Sequence, residues 1–469
     1  MSDNEVRLTS EEKTAYGLAA VGKDMVYMLS ASYVLYYFQD VLGVSAAAMG
    51  VLLLVARVFD AFNDPIMGIV VAKTRTRWGK FRPWLFIGTI TNAIILFIMF
   101  AAPPKLDGAG LLAYASVTYI LWGVTYTIMD IPYWSMIPAF TKGGREREGL
   151  TTLARTCAGV GSALVTIFTM SIVHAISKYE RIGFKWYALI IAVLFVVFET
   201  VACITIKEKS TVNVESATVG KMFSALLKND QAVVTVIAIV LINCSVYITS
   251  NLVIYFFKYD FGGTGWYNSY TIFNMFGGAI QILSMMIVYP LLRKKFSNVK
   301  IFYITLFSAV IGYAVLLAIA FTGMDNVYIL FVPGFFIFAA NGVLQVLTTV
   351  FLANTVDYGE LKNGRRDESV IFSMQTFVVK LASGVAAFVA AMCLSINKLS
   401  NAETTEADKL VDFSLKVSDS AKTGLRMTMT IIPVIGLVVA ILIFKKKFIL
   451  NEKKMEEITK ELEAKKAAK

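Results

Sequence analysis

Apolar stretches of roughly 20 to 30 residues alternate with short polar punctuation along the chain. Each is long enough to cross ~30 Å of hydrocarbon at ~1.5 Å per helical residue. The pattern predicts twelve spans, near 16–40, 46–72, 83–103, 110–140, 149–177, 186–206, 231–257, 265–292, 301–322, 327–356, 370–396 and 425–445. The fold class that follows is an all-α membrane protein, because a helix satisfies its own backbone hydrogen bonds in lipid. The longest polar stretch inside this array divides the spans six plus six. It predicts an N-terminal six-helix lobe over 1–206, a cytoplasmic connector over 207–230, a C-terminal six-helix lobe over 231–445 and a charged cytoplasmic tail over 446–469. Membrane proteins built from repeated halves have this layout. The tail reads as a solvated or membrane-surface helix, with Met455, Ile458 and Leu462 on one face.

Composition agrees with the pattern. Of 469 residues, 57% are hydrophobic and 16% charged, too little polar surface for a soluble domain of this size. The net charge of +11 gathers in alternate loops: Lys73, Arg75, Arg77, Lys80 and Arg82; Lys142, Arg145 and Arg147; Arg293, Lys294, Lys295 and Lys300; Lys362, Arg365 and Arg366. By the positive-inside rule these loops and both termini face the cytoplasm of a cell-membrane protein, and the basic excess needs no nucleic-acid partner. The first fifteen residues are polar, so no cleavable signal peptide is visible there. One histidine, His174, leaves no multi-His metal site. Cys157, Cys203, Cys244 and Cys393 lack motif spacing and read as packing residues.

Ionisable groups inside spans are costly and point to function. Lys23 and Asp24 fall in span 1, Arg57, Asp60 and Asp64 in span 2, Asp130 in span 4, Arg155 in span 5 and Lys380 in span 11. Asp60, Asn63 and Asp64 share one helical face at i, i+3 and i+4. Two adjacent carboxylates repel, and a hard cation between them relieves the repulsion, with an Asn carbonyl or Thr hydroxyl completing its oxygen shell. Tyr126, Asp130 and Trp134 stack at i, i+4 and i+8, with Thr127 adjacent. An aromatic face beside a carboxylate suits a sugar ring, whose C–H faces stack and whose hydroxyls donate. The competing structural reading is that these acids only neutralise Arg57, Lys23 and Arg155 in a packed bundle.

Three long blocks resemble a known family. The segments DAFNDPIMGIVVAKTRTRWGKFRPWLFIG (Asp60–Gly88), TYILWGVTYTIMDIPYWSMIP (Thr118–Pro138) and TVDYGELKNGRRDESVIFSMQTFVVK (Thr355–Lys380) are similar to those of the glycoside–pentoside–hexuronide cation symporters. Gly22-Lys23-Asp24 looks most like the melibiose permease branch. The resemblance runs from Tyr16 to about Phe444 and implies the major facilitator superfamily fold. It also implies secondary active transport: sodium-coupled symport of a glycoside such as melibiose or a related galactoside, with Li⁺ or H⁺ as other co-transported ions and no cofactor. Carried over by position, it implies a cation site of Asp60, Asn63, Asp64 and Thr127. It implies sugar contacts from Asp24, Asp130, Trp134 and Arg155, with Lys23, Tyr126, Thr376 and Lys380 close by. Two positions depart from the melibiose pattern, a tryptophan reading as Gln345 and an aspartate as Asn354, which leaves glucuronides or pentosides open as substrates. An ATP-driven pump or membrane enzyme is disfavoured, since there is no phosphate-binding G-x-x-x-x-G-K-[ST] loop and no HExxH. The expected partners are therefore a sugar, a monovalent cation and the lipid bilayer.

Overall fold

The structure, a computed structural model, describes residues 8–140, 144–206, 224, 227–324, 326–363, 368–399 and 411–467. Much of the predicted connector, the side chains of the basic loop at Lys142, Arg145 and Arg147, and those at Arg365 and Arg366 lie outside the described residues. The chain forms two compact units, one holding the first six helices and one the remainder.

In the first unit the helices are α1 (Ser10–Leu35), α2 (Ala46–Lys73), α3 (Arg82–Phe100), α4 (Gly108–Phe140), α5 (Gly144–Ile176) and α6 (Glu180–Thr205). A capping box starts α1: the Thr9 hydroxyl accepts from the Glu12 amide at 3.1 Å, and the Glu12 carboxylate accepts from the Thr9 amide at 3.0 Å. A π-helical turn, Tyr36–Val41, ends it and turns three aromatic side chains inward. There the Tyr37 hydroxyl donates to the Phe100 carbonyl (2.8 Å), and the Tyr36 hydroxyl to Glu180 (2.7 Å). Helix α1 packs against α5 and α6, α3 against α4 and α6, and α2 against α4.

The second unit contains α7 (Asp230–Phe261), α8 (Trp266–Arg293), α9 (Asn298–Thr322), α10 (Phe331–Asn363), α11 (Glu368–Ile396), α12 (Asp419–Lys447) and α13 (Glu452–Ala467). Side chains at Asn229, Ser297 and Ser418 cap α7, α9 and α12. Its core is aromatic: Phe302, Phe351 and Phe444 converge with ring centroids 4.3–5.4 Å apart. Arg426 of α12 makes a paired contact with the buried Asp260 at the end of α7, at 2.8 and 2.6 Å.

The helices are amphipathic in the inverted sense that lipid demands. On α2, Val51, Val55, Phe62 and Ile66 are exposed, while Arg57 and Asp60 are buried. On α6, Ile182, Trp186, Ile190, Val193 and Val197 are exposed. Among the described residues eleven helices are long and apolar enough to cross a membrane. The other long helix of the first unit, α1, carries Lys23 and Asp24. The protein is thus multi-pass. One expectation needs correcting: α13 is not solvated all round, because Ile458 is 1% exposed and the helix packs along α10. Burying that small apolar stripe against protein removes it from water.

Candidate substrate and cation site

Lys23, on α1, is 3% exposed. Its ammonium lies 2.7 Å from Asp130 Oδ1 on α4 and 3.0 Å from the neighbouring Asp24 Oδ2, and it donates to the Tyr126 hydroxyl at 3.2 Å. Tyr126, Tyr133 and Trp134 present ring faces to the same ammonium at 5.7, 5.4 and 5.1 Å. Trp134 Nε1 donates to Asp130 Oδ1 at 3.1 Å, and the Arg155 guanidinium stacks on the Trp134 ring at 4.1 Å. Ser162 of α5 reaches Asp24 Oδ1 at 3.4 Å. A buried cation can be held only if paired, and here two acids share one lysine. Asp24 and Asp130 therefore meet on one ammonium and do not face each other across open space, as a sugar bridging them would require. Both keep partly exposed side chains, at 18% and 20%, so their remaining lone pairs are accessible to hydroxyl donors.

The close fit of α1 comes from Gly22, where a Cβ would lie 3.2 Å from the Phe195 Cα of α6. On the opposite edge the Tyr16 and Tyr133 rings stack at 4.3 Å. Each hydroxyl donates to the other's carbonyl, at 2.6 Å from Tyr16 and 2.8 Å from Tyr133. This reciprocal latch ties α1 to α4 at the residue next to Trp134, although neither tyrosine has a place among the sequence-derived site residues.

Helix α2 brings the second group against α4. Thr127 donates its hydroxyl to Asp64 Oδ1 at 3.0 Å, joining two residues that are 63 apart in sequence. Asp60 accepts from Arg57 at 3.3 Å, and Arg57 lies over the Tyr27 ring at 5.7 Å. Gly123 of α4 is what admits Asp60: a Cβ there would stand 2.7 Å from its Oδ1. Asn63 is half-buried beside Asp64 on the same helix. Carboxylate, amide and hydroxyl oxygens without soft ligands are a donor set suited to a hard cation. The Arg57–Asp60 pair also matches the structural reading, so Asp60 has a partner before any cation arrives.

Two of the sequence-derived residues belong to the second unit. Lys380 and Thr376 belong to α11 in the second unit; Lys380 is half-buried, and the Thr376 side chain is outside those described. Gln345 is exposed on α10. The sequence reading also missed Glu199, a single acid in the apolar run FVVFETVAC of α6; its isolation among apolar residues was the available signal.

Several proteins are similar to this chain over most of its length. The raffinose carrier protein of Pediococcus pentosaceus is 28% identical over 96% of this chain and 70% of its own. The isoprimeverose transporter of Lactiplantibacillus pentosus is 28% identical over 82% of this chain and 80% of its own. A bacterial homologue of the human lysosomal transporter Spinster, solved inward-facing and unoccupied, superposes with a TM-score of 0.66 at 11% identity, covering 96% of this chain and 97% of that one. At that identity the likeness establishes the fold alone. The model of the family described as MFS/sugar transport protein matches residues 15–449, and the chain belongs to that family, the transporters, not enzymes, that include the glycoside–pentoside–hexuronide symporters.

Proposed function

We propose that the protein is a sodium-coupled symporter of a glycoside, melibiose or a related galactoside, in which Li⁺ or H⁺ can replace Na⁺. Asp60, Asn63, Asp64 and Thr127 form the cation site in this reading. Asp24, Asp130, Trp134 and Arg155 hold the sugar, with Lys23 and Tyr126 beside it; Thr376 and Lys380 enter this reading by the family resemblance alone. The observation that carries the proposal is the Thr127–Asp64 hydrogen bond of 3.0 Å. It brings α2 against α4 three residues from Asp130, so in this reading α4 contributes a member to each set. The aromatic wall of Tyr126 and Trp134 beside two acids supports a hydroxyl-rich ring as the other cargo. The raffinose carrier and isoprimeverose transporter support a sugar substrate by kinship. A glucuronide or pentoside is the second reading, favoured by Gln345 where melibiose permeases have tryptophan.

The setting is the cell membrane, with both termini cytoplasmic, as the basic loops indicate. One co-transported cation per sugar draws ~2.3 kcal/mol per 100 mV from the membrane potential. The deciding experiment is uptake of radiolabelled melibiose, raffinose, a glucuronide and a pentoside into membrane vesicles, with and without an inward sodium gradient. Gradient-driven accumulation of a galactoside is expected. Accumulation indifferent to sodium and lithium would overturn the coupling, and uptake confined to the glucuronide or pentoside would transfer the assignment to the second reading.

A further inference from the structure

Glu199 is fully buried on α6, and neither carboxyl oxygen has a hydrogen-bond partner among the described residues. It lies on the inward face shared by Ala188, Ala192, Phe195, Ala202 and Cys203, away from the lipid-facing stripe of the same helix. A charged carboxylate placed there would have lost its water and gained no donor, which costs far more than burying a neutral acid. Even the neutral acid leaves polar atoms unpaired, so an apolar side chain or an alanine would serve packing better. Stability therefore gives no reason for an acid at this point.

Its electrostatic surroundings give one. Helix α6 packs against α1, α3 and α5. A Cβ at Gly22 would lie 3.2 Å from the Phe195 backbone and 3.3 Å from the Phe198 side chain, so α1 meets α6 with Lys23 and Glu199 each next in sequence to the contact. The charges that bear on Glu199 are then Lys23 and Asp24 of α1 and Asp130 of α4, with Tyr16, Tyr133 and Cys203 the titratable groups around it. From α3, Arg82 donates to the Cys203 carbonyl at 2.7 Å; from α5, Cys157 faces Gly17 of α1, and His174 pairs with Glu180 at 3.1 Å. Lys23 is already outnumbered by Asp24 and Asp130. An ionised Glu199 would add a third negative charge around a lysine that two acids already share.

We propose that Glu199 is a proton-binding site, occupied while Lys23 is shared by Asp24 and Asp130 and vacated when that cluster loses a negative charge. The step is a simple ionisation: the carboxyl O–H breaks, the proton leaves to water, and the carboxylate replaces the lost acid as a counter-charge in the field of Lys23. This equips the first unit with a proton carrier separate from the Asp60–Asp64 pair, whatever ligand the Lys23 cluster takes.

Infrared difference spectroscopy on the purified full-length protein tests it without any ligand, because a protonated carboxylic acid has its own carbonyl stretching band. At pH 7 the wild type should show such a band, shifted by ¹³C-glutamate labelling and missing in Glu199→Gln. Asp130→Asn should lower the pH at which this band disappears by about one unit or more, a tenfold or greater loss of proton affinity. Lys23→Gln should raise it. Identical wild-type and E199Q spectra at pH 7 would show an ionised Glu199 and overturn the site. A band whose titration ignores both D130N and K23Q would overturn its link to the cluster. If E199Q does not fold, the labelled wild type and Glu199→Asp decide the matter: no protonated glutamate band, or one unmoved in E199D, counts against the assignment.

Discussion

Asp60 and Asp64 occupy the same face of α2 with different surroundings: Asp60 accepts from Arg57, whereas Asp64 accepts from Thr127 across the helix interface. Asp64→Cys is therefore expected to abolish sodium stimulation of sugar binding with little loss of fold. Asp60→Cys should abolish it too, and in addition strand a buried Arg57. Undiminished sodium stimulation in both purified variants would remove the pair from the cation site. For the sugar, Asp130 accepts from both Lys23 and Trp134, while Gln345 is exposed on α10. Asp130→Asn should weaken binding by about 1–3 kcal/mol, the penalty of unpaired buried partners, and much more than Gln345→Ala. Calorimetry on folded protein makes the comparison, and equal affinities would count against Asp130 as a ligand. The carboxylate pair and the Tyr126-Asp130-Trp134 ladder were legible because helical spacing alone sets them on one face. Lys23 as the shared partner of Asp24 and Asp130 was not, since that contact joins α1 to α4.

Among the elements, α1 and α4 are joined by the Tyr16–Tyr133 latch, two hydroxyl-to-carbonyl bonds around a stacked ring pair. Tyr16→Phe and Tyr133→Phe each keep the ring and lose one bond. Each should cost about 0.5–1.5 kcal/mol of stability, measured by thermal unfolding in detergent. Because the rings touch, the double variant should deviate from the sum of the two, and strict additivity would mean the latch is not a unit. The helices themselves were readable from their apolar runs, but their ends were not. Helix α5 begins at Gly144 and α12 at Asp419, each several residues before the predicted span. Hydropathy marks where lipid begins, whereas a helix continues into water until a cap such as Ser418 ends its unsatisfied amides.

For the whole molecule, the proposed sharing of α4 between Thr127 and Asp130 has a thermodynamic consequence. If sodium raises sugar affinity by some factor, the sugar must raise sodium affinity by the same factor, commonly about 5- to 150-fold for couplings of roughly 1–3 kcal/mol. Titration of each ligand with and without the other reads both factors, and two unchanged affinities would show that the shared helix does not couple them. Orientation is testable at the same scale: reporters fused at Lys142 and at Ser418 should report opposite sides of the membrane. Finding them on one side would break the alternation of spans on which the cytoplasmic termini depend.

Taken alone, the sequence determined that the chain is a helical membrane protein and which residues would carry charge inside it, because span length, hydropathy and helical period are local properties. It also carried the family resemblance in three ordered blocks, now matched by the family model over residues 15–449. Only the tertiary structure decided how those charges pair. Thr127 meets Asp64 where Gly123 lets α2 approach α4, and Lys23 lies between two acids where α1 meets α4. Glu199 gained its meaning in the same way: in sequence it is one acid in an apolar run, and in the fold it is a carboxyl group with no hydrogen-bond partner among the described residues, in the field of three charged neighbours. Such pairings depend on how closely helices distant in sequence approach one another, a distance set by the small residues between them.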